Sequence, residues 1–387
     1  MPEYTEMIEI LQSEIKRTNA LACLECGKCT AVCPLSISSR RYSPRVLLTR
    51  AIRDDLDNLF QDYDLWSCLT CGKCSAYCPA DIDYMELMHA LRDAAGQAGF
   101  EGKCSHSGTA QSIQRIQTAG HLQSRRLDWL PSDVDVAKTG KVLYWVGCAP
   151  FYDALFADIP VNTLQAAESS IRLLNHLGIT PAVLQDERCC GHDLYWNGDT
   201  ENFKKLAKLN TEAIKKSGAE TVLFSCAECQ SALKQLYPAA GESPPVRYQH
   251  ISQFLVEKLS AGELKLGPDS KQTITYHDPC RLGRLQGVYD EPRQILQAVG
   301  SLEEMRQSRK QALCCGVSGW MNCDVDSKAI QENRLRQARA TGADVMAVAC
   351  PKCQIHFTCT LRDEALKDCQ IDIKDIATLA LESMPQD

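Results

Sequence analysis

The chain has 387 residues, enough for two or three domains with sizeable buried cores. A net charge of −7 without a strong basic run argues against nucleic acid as the main partner, since phosphate binding needs clustered Lys and Arg. No apolar run approaches membrane-spanning length, and an opening with Glu3, Glu6 and Glu9 lacks the pattern of an export signal, so a soluble, cytoplasmic protein with no direct membrane span is expected. Under those conditions 22 cysteines point to metal or redox chemistry rather than to disulfides.

Residues 1–22 read as a helix with Ile8, Leu11 and Ile15 on one apolar face. Two copies of a four-cysteine run follow, Cys23, Cys26, Cys29, Cys33-Pro34 and Cys68, Cys71, Cys74, Cys78-Pro79, offset by 45 residues at every cysteine. This is the bacterial ferredoxin spacing, in which three cysteines wrap one cubane and the fourth serves the other cluster. One [4Fe-4S] cluster is therefore expected on Cys23, Cys26, Cys29 and Cys78, and a second on Cys68, Cys71, Cys74 and Cys33. Structural zinc is the competing reading, but zinc has no need of the proline-terminated four-cysteine run. Helices are expected over 44–52, with Val46, Leu47, Ala51 and Ile52 turned inward, and over 83–95. Residues 1–95 thus form an α-helical domain, and over 15–95 the chain resembles the α-helical ferredoxin module of fumarate reductase iron–sulfur subunits and heterodisulfide reductases. Residues 96–140 read as a glycine-punctuated linker in which Cys104 and the pair Arg125-Arg126 are surface features.

The remainder is a duplication with a period of roughly 125 to 130 residues. A buried strand over 141–147 leads to Cys148, a helix covers 162–177 up to Gly178, and a short strand over 182–184 leads to Cys189-Cys190-Gly191. A further helix closes at Gly218, and a strand over 221–224 runs into Cys226 and Cys229. The second copy has a strand over 273–276 before Cys280, then Cys314-Cys315-Gly316, then a strand over 345–348 before Cys350 and Cys353. Alternating strands and helices predict parallel sheets with ligands at strand ends. The fold class is therefore α+β overall, an α-helical domain followed by two α/β lobes. The lobes are placed at 141–240 and 273–387, with 241–272 as a proline-broken connection carrying a helix over 251–259.

Adjacent thiols make a strained disulfide but can reach two atoms of one metal cluster. Each lobe offers five cysteines, one more than a cubane needs: Cys148, Cys189, Cys190, Cys226 and Cys229, then Cys280, Cys314, Cys315, Cys350 and Cys353. This Cys…Cys-Cys-Gly…Cys-x2-Cys pattern resembles the double-CCG, cysteine-rich subunit of heterodisulfide reductase fused to its ferredoxin subunit, and is related to the glycolate oxidase iron–sulfur subunit. The gap from Cys148 to Cys189 is slightly longer than that family usually shows. The resemblance implies a noncubane [4Fe-4S] cluster on each five-cysteine set and reductive cleavage of a disulfide, with Cys189, Cys190, Cys314 and Cys315 at the reacting centres. A zinc or inert site is the plainer alternative for the lobes. His192 and His277, beside the motifs, are candidates for proton transfer to a leaving thiolate, and Lys352 for attracting an anionic substrate. Cys104, Cys323, Cys359 and Cys369 stand outside the motifs.

Two functions fit. One is an oxidoreductase subunit that cleaves a disulfide with electrons received through its own cubanes. The other is a non-catalytic electron-transfer subunit of a flavoprotein complex, of the kind found in glycolate or lactate oxidases and aryl-CoA reductase assemblies. With no dinucleotide fingerprint in the chain, electrons must enter from a partner, a flavoprotein or another iron–sulfur donor subunit.

Overall fold

In the computed structural model, residues 2–39, 41–122, 125–267 and 272–385 are described, the side chains of residues 2–4 excepted. Pro268, one of the prolines read as separating the lobes, lies outside them. The described residues combine helices with short parallel strands, in two compact units. Unit 1 comprises Met1–Ile116 with Gly191–Phe203 and Gly316–Gln331; unit 2 comprises Gln117–Cys190, Lys204–Cys315 and Glu332–Asp387. The chain therefore passes from unit 2 to unit 1 immediately after each vicinal cysteine pair.

Unit 1 is helical. The helix Pro2–Arg17 buries Met7, Leu11 and Ile15 and packs on the helix Tyr84–Gln97. Ile8 is only partly buried, and Met7 takes the inward place expected of it. The Tyr84–Gln97 helix starts where Asp83 Oδ1 accepts a hydrogen bond from Glu86 N, at 3.2 Å, satisfying an end amide that has no intrahelical partner. Pro44–Ile52 is helical as expected, with Ser43 as its cap. Its buried face is Pro44, Leu47, Leu48 and Ala51; Val46, expected inward, is 48% exposed. At about 100° per residue, Val46 falls on the side of the helix away from the stripe those four define, leaving its side chain to solvent.

The two extra segments of unit 1 are built into this bundle. Arg92, fully buried, donates to the carbonyls of Leu65, Trp66, Cys68 and Trp196. His89 stacks on Tyr195 with ring centroids 3.7 Å apart, and Tyr195 Oη donates to Glu86 at 2.7 Å. From the stretch read as a linker, the helix Thr109–Ile116 sends Gln111 to the carbonyls of Gly319 and Trp320, at 2.8 and 3.1 Å.

Unit 2 holds two parallel sheets. The first has the order β1 (Val142–Trp145), β2 (Thr221–Phe224), β3 (Arg247–His250). In the second, β4 (Thr273–Tyr276) lies between β5 (Ser301–Leu302) and β6 (Val345–Val348), and β7 (Asp372–Asp375) flanks β6. β1, β2, β4 and β6 are apolar runs with both faces covered, the pattern of buried parallel strands. Ala182, in the expected short strand over 182–184, makes only isolated bridges, to Ala137 and Leu143.

The lobes match beyond the sheets. β3 leads into the helix Ile251–Ser260 and β7 into the helix Ile376–Glu382, with His250 and Asp375 as the respective N-caps. Each lobe's helices pack on the other's: Leu164–His176 against Ile376–Glu382, and Ile251–Ser260 against Asp290–Val299. Buried leucines and isoleucines on these faces, interspersed with alanines and small polar residues, each contribute about 1.5–3 kcal/mol on burial.

Candidate metal centres

In unit 1 the two cysteine runs adopt one local conformation. Glu25 and Thr70, the residues before Cys26 and Cys71, have φ of 50° and 41°, and Gly27 and Gly72, the residues after them, have φ of 75° and 69°. Alternation of left- and right-handed residues turns successive N–H groups inward and forms a concavity suited to an anion, including an iron–sulfur cluster. Holding Glu25 and Thr70 there costs on the order of 1 kcal/mol each. Thr70 N approaches Cys68 Sγ at 3.4 Å.

Two cavities adjoin these loops. One is lined by Cys23, Cys26, Cys29 and Cys78, with Cys74 also on its wall. The other is lined by Cys33, Cys68, Cys71 and Cys74. The fourth cysteine of each run thus faces the cavity of the other run. Burial pushes the Cys33 thiol up to about 12 and the Cys74 thiol well above its ordinary value. Thiolates at such positions require a cationic partner. A soft, all-sulfur donor set around a small cavity fits an iron–sulfur cluster.

In unit 2, parallel strands deliver cysteines at their carboxyl ends. Cys148 follows β1 and Cys226 follows the adjacent β2; Cys280 follows β4 and Cys350 follows the adjacent β6. Cys226 and Cys350 cap the helices that carry Cys229 and Cys353. The thiols form a connected set. In the first lobe Cys190 meets Cys189 and Cys229, and Cys229 also meets Cys226. In the second, Cys280 meets Cys314, while Cys315 meets Cys314 and Cys353, and Cys353 meets Cys350. Cys350 meets Cys226, which joins the two sets. These hydrogen bonds hold the Cys190, Cys226 and Cys315 thiols below their ordinary value. Cys148 lies close enough to act electrostatically on Cys190. Gly147 makes its approach possible: φ is 70°, and a Cβ there would stand 2.8 Å from Cys229 Sγ.

Several supporting residues gave no sequence signal. Arg126, expected at the surface, is buried and paired with the buried Glu187; Arg125 beside it is exposed as expected. Glu187 accepts from Gly147 N at 2.7 Å and Val146 N at 3.2 Å, and Arg126 donates to the Gly147 carbonyl, so the pair ties the end of β1 to the vicinal-cysteine loop. Gln117 Oε1 accepts from Cys189 N at 2.8 Å, and Asn210 Nδ2 donates to the Cys189 carbonyl at 2.9 Å. Lys352, expected to attract an anionic substrate, is buried and lies 2.9 Å from Glu228 in the other lobe's Cys-x2-Cys turn.

The two histidine candidates are both enclosed. His192 Nδ1 is 3.1 Å from Asp193 Oδ1. His277 accepts from Arg334 Nε at 3.1 Å and stands edge-on to Phe357; burial, with Arg334 and Arg284 nearby, holds its imidazole well below the ordinary value. Cys104, Cys323, Cys359 and Cys369 lie outside the cysteine sets described above, and Cys369 is buried.

A model of the 4Fe-4S dicluster domain matches residues 19–82, and a model of the CCG cysteine-rich domain matches twice, at 142–234 and 274–358. One subunit of the dihydromethanophenazine:CoB–CoM heterodisulfide reductase of Methanosarcina barkeri is 35% identical over 271 residues, covering 68% of this chain and 63% of that one. This chain belongs to the ferredoxin-fused, double-CCG heterodisulfide reductase family. Its dicluster and cysteine-rich domains are those of iron–sulfur proteins. Other relatives are the EtfAB:quinone oxidoreductase of Syntrophomonas wolfei, 29% identical over 61% of this chain and 33% of that one, and the probable iron–sulfur-binding oxidoreductase FadF of Bacillus subtilis, 26% identical over 94% and 59%. The chain spans less than two thirds of the length of these relatives. A hypothetical protein of Helicobacter pylori shares the fold, with a TM-score of 0.55 at 12% identity over 89% of this chain and 68% of that one. Among the described residues no helix is long and apolar enough to cross a membrane.

Proposed function

We propose that this chain is the disulfide-cleaving subunit of a heterodisulfide-type reductase. Cys23, Cys26, Cys29 and Cys78 would hold one cubane [4Fe-4S] cluster, and Cys68, Cys71, Cys74 and Cys33 a second. Cys148, Cys189, Cys190, Cys226 and Cys229 would hold one noncubane [4Fe-4S] cluster, and Cys280, Cys314, Cys315, Cys350 and Cys353 another. The contact of Cys226 with Cys350, which joins the two five-cysteine sets, carries this reading. Bound clusters supply electrons one at a time, and cleaving R–S–S–R′ to RSH and R′SH takes two electrons and two protons. Two centres held side by side suit that count.

Within this scheme the chain's own residues orient and enclose. Arg126 and Glu187 fix Cys148 against the Cys189-Cys190 loop, and Glu228 and Lys352 fix the two Cys-x2-Cys turns against each other. Electrons would enter from a flavoprotein or iron–sulfur donor subunit of a larger complex. The test is thiol release from the CoB–CoM heterodisulfide and other small disulfides with reduced methyl viologen as donor. Wild type should release thiols, and Cys314→Ser and Cys315→Ser should not, while keeping the signals of the unit 1 clusters. The likeness to an EtfAB:quinone oxidoreductase favours the second reading, a non-catalytic electron relay. Electron transfer to a quinone analogue with no thiol released from any disulfide would establish that reading instead.

A further inference from the structure

The two ferredoxin-type loops have the same sequence pattern and the same backbone but opposite exposure. In the second, Leu69 is 6%, Thr70 1% and Lys73 4% exposed, and Thr70 Oγ1 is 2.8 Å from Ser318 Oγ within the same unit. In the first, Leu24 is 67% exposed, and Glu25, Cys26 and Lys28 are exposed as well. Leu24 is not alone. Leu21 is 58% and Val46 48% exposed, and the helix bearing Val46 packs against the turn Ala20–Ala22 that bears Leu21. Lys28 and Arg45 line the adjoining cavity. The stretch 21–50 carries five basic residues and one acidic, in a chain whose net charge is −7, and of the five Arg50 is paired with Asp55 and Asp62. An apolar patch with a basic rim beside an outward-facing cysteine set has the composition of a docking surface, and its charge selects an acidic partner.

Resting on the cluster assignment above, we propose that Leu21, Leu24 and Val46, with Lys28 and Arg45, form the face on which an acidic one-electron redox protein docks to exchange electrons with the cluster of Cys23, Cys26, Cys29 and Cys78. In each encounter the reduced partner loses one electron and this cluster gains one, with no bond made or broken. The inner cysteine set, covered by its own unit, is not the point of entry.

The probe is a reduced acidic [2Fe-2S] ferredoxin, mixed anaerobically with the oxidised holoprotein in a stopped-flow instrument at several ionic strengths. Leu21 and Val46 line neither cavity, so substituting them leaves the cysteine sets intact. The second-order rate for wild type should fall as salt rises. Leu21→Glu and Val46→Glu should lower it about tenfold or more at low salt, and Leu21→Lys should lower it less. Reduction by dithionite should be the same for all. A salt-independent rate, or equal rates for the Glu and Lys variants, overturns the proposal. So does sedimentation showing that wild type dimerises and Val46→Glu does not, which would assign the face to a second copy of the chain. Iron content and EPR of the same samples keep a failure of the cluster assignment distinct from a failure of the docking face.

Discussion

Lys352 Nζ lies 2.9 Å from Glu228 Oε2, and the two residues occupy matching positions in the Cys-x2-Cys turns of opposite lobes. The duplication has thus been broken at one position, a cation in one copy and an anion in the other, and the pair holds Cys226 against Cys350. Its side chains are 2% and 14% exposed. Removing one partner leaves the other charge in a medium that solvates it poorly. Lys352→Met should therefore destabilise the holoprotein by about 3 kcal/mol. The double variant Lys352→Met/Glu228→Met should recover much of that loss, as measured by anaerobic urea denaturation. A double variant no more stable than the single one would mean that the pair is not what joins the turns.

Arg126 and Glu187 act on the other side of the first cysteine set. Arg126→Leu strands a buried carboxylate that also accepts from Val146 and Gly147, so a loss of about 3–5 kcal/mol is expected, with iron lost from the lobes before the unit 1 clusters. Iron analysis alongside EPR on mild warming checks the order. Simultaneous loss from both units would count against a local role.

Asp375 caps the helix after β7, its Oδ1 accepting from Ala377 N at 2.8 Å. Burial pushes its carboxyl up to about 7, with Cys350 nearby adding to the effect. A raised folded-state value means that its contribution to stability is fully present below the unfolded value near 3.8 and is lost as pH rises through about 7. Asp375→Asn keeps a capping oxygen and removes the titration. The variant should gain on wild type between pH 5 and pH 8, by on the order of 2–4 kcal/mol, in denaturation measured at both values. A pH-independent difference would show that the carboxyl is already ionised in the folded state at pH 5.

The sequence disclosed elements whose physics is local and hid those whose physics is not. β1, β2, β4 and β6 were legible because each is a short apolar run covered on both faces. β3 (Arg-Tyr-Gln-His) and β7 (Asp-Ile-Lys-Asp) were not, since sheet-edge strands with partial exposure carry charge and read as connection. β3 lies in the very stretch taken for the interlobe link. The cysteine motifs stand out by their spacing, but Arg126 looked like any arginine of a polar stretch, because its partner is 61 residues away. Nor does any periodicity mark Gly191–Phe203 and Gly316–Gln331 as parts of unit 1; only contacts such as Arg92 with Trp196 do so.

The crossed arrangement of the first eight cysteines gives a further expectation. Cys33→Ser should alter the same EPR signal as Cys74→Ser, and Cys78→Ser the same signal as Cys29→Ser, because Cys33 faces the cavity of the second run and Cys78 that of the first. The opposite pairing would place each four-cysteine run on its own cluster.

Disulfide cleavage by this chain requires that the lobes carry redox-active clusters able to meet a disulfide. Its most direct test is iron and sulfide analysis of the anaerobically purified protein, with EPR of the oxidised sample before and after a small thiol is added. About sixteen irons per chain are expected, with a new paramagnetic signal on thiol addition that Cys315→Ser abolishes. About eight irons, with zinc in the lobes and no response to thiol, would contradict it.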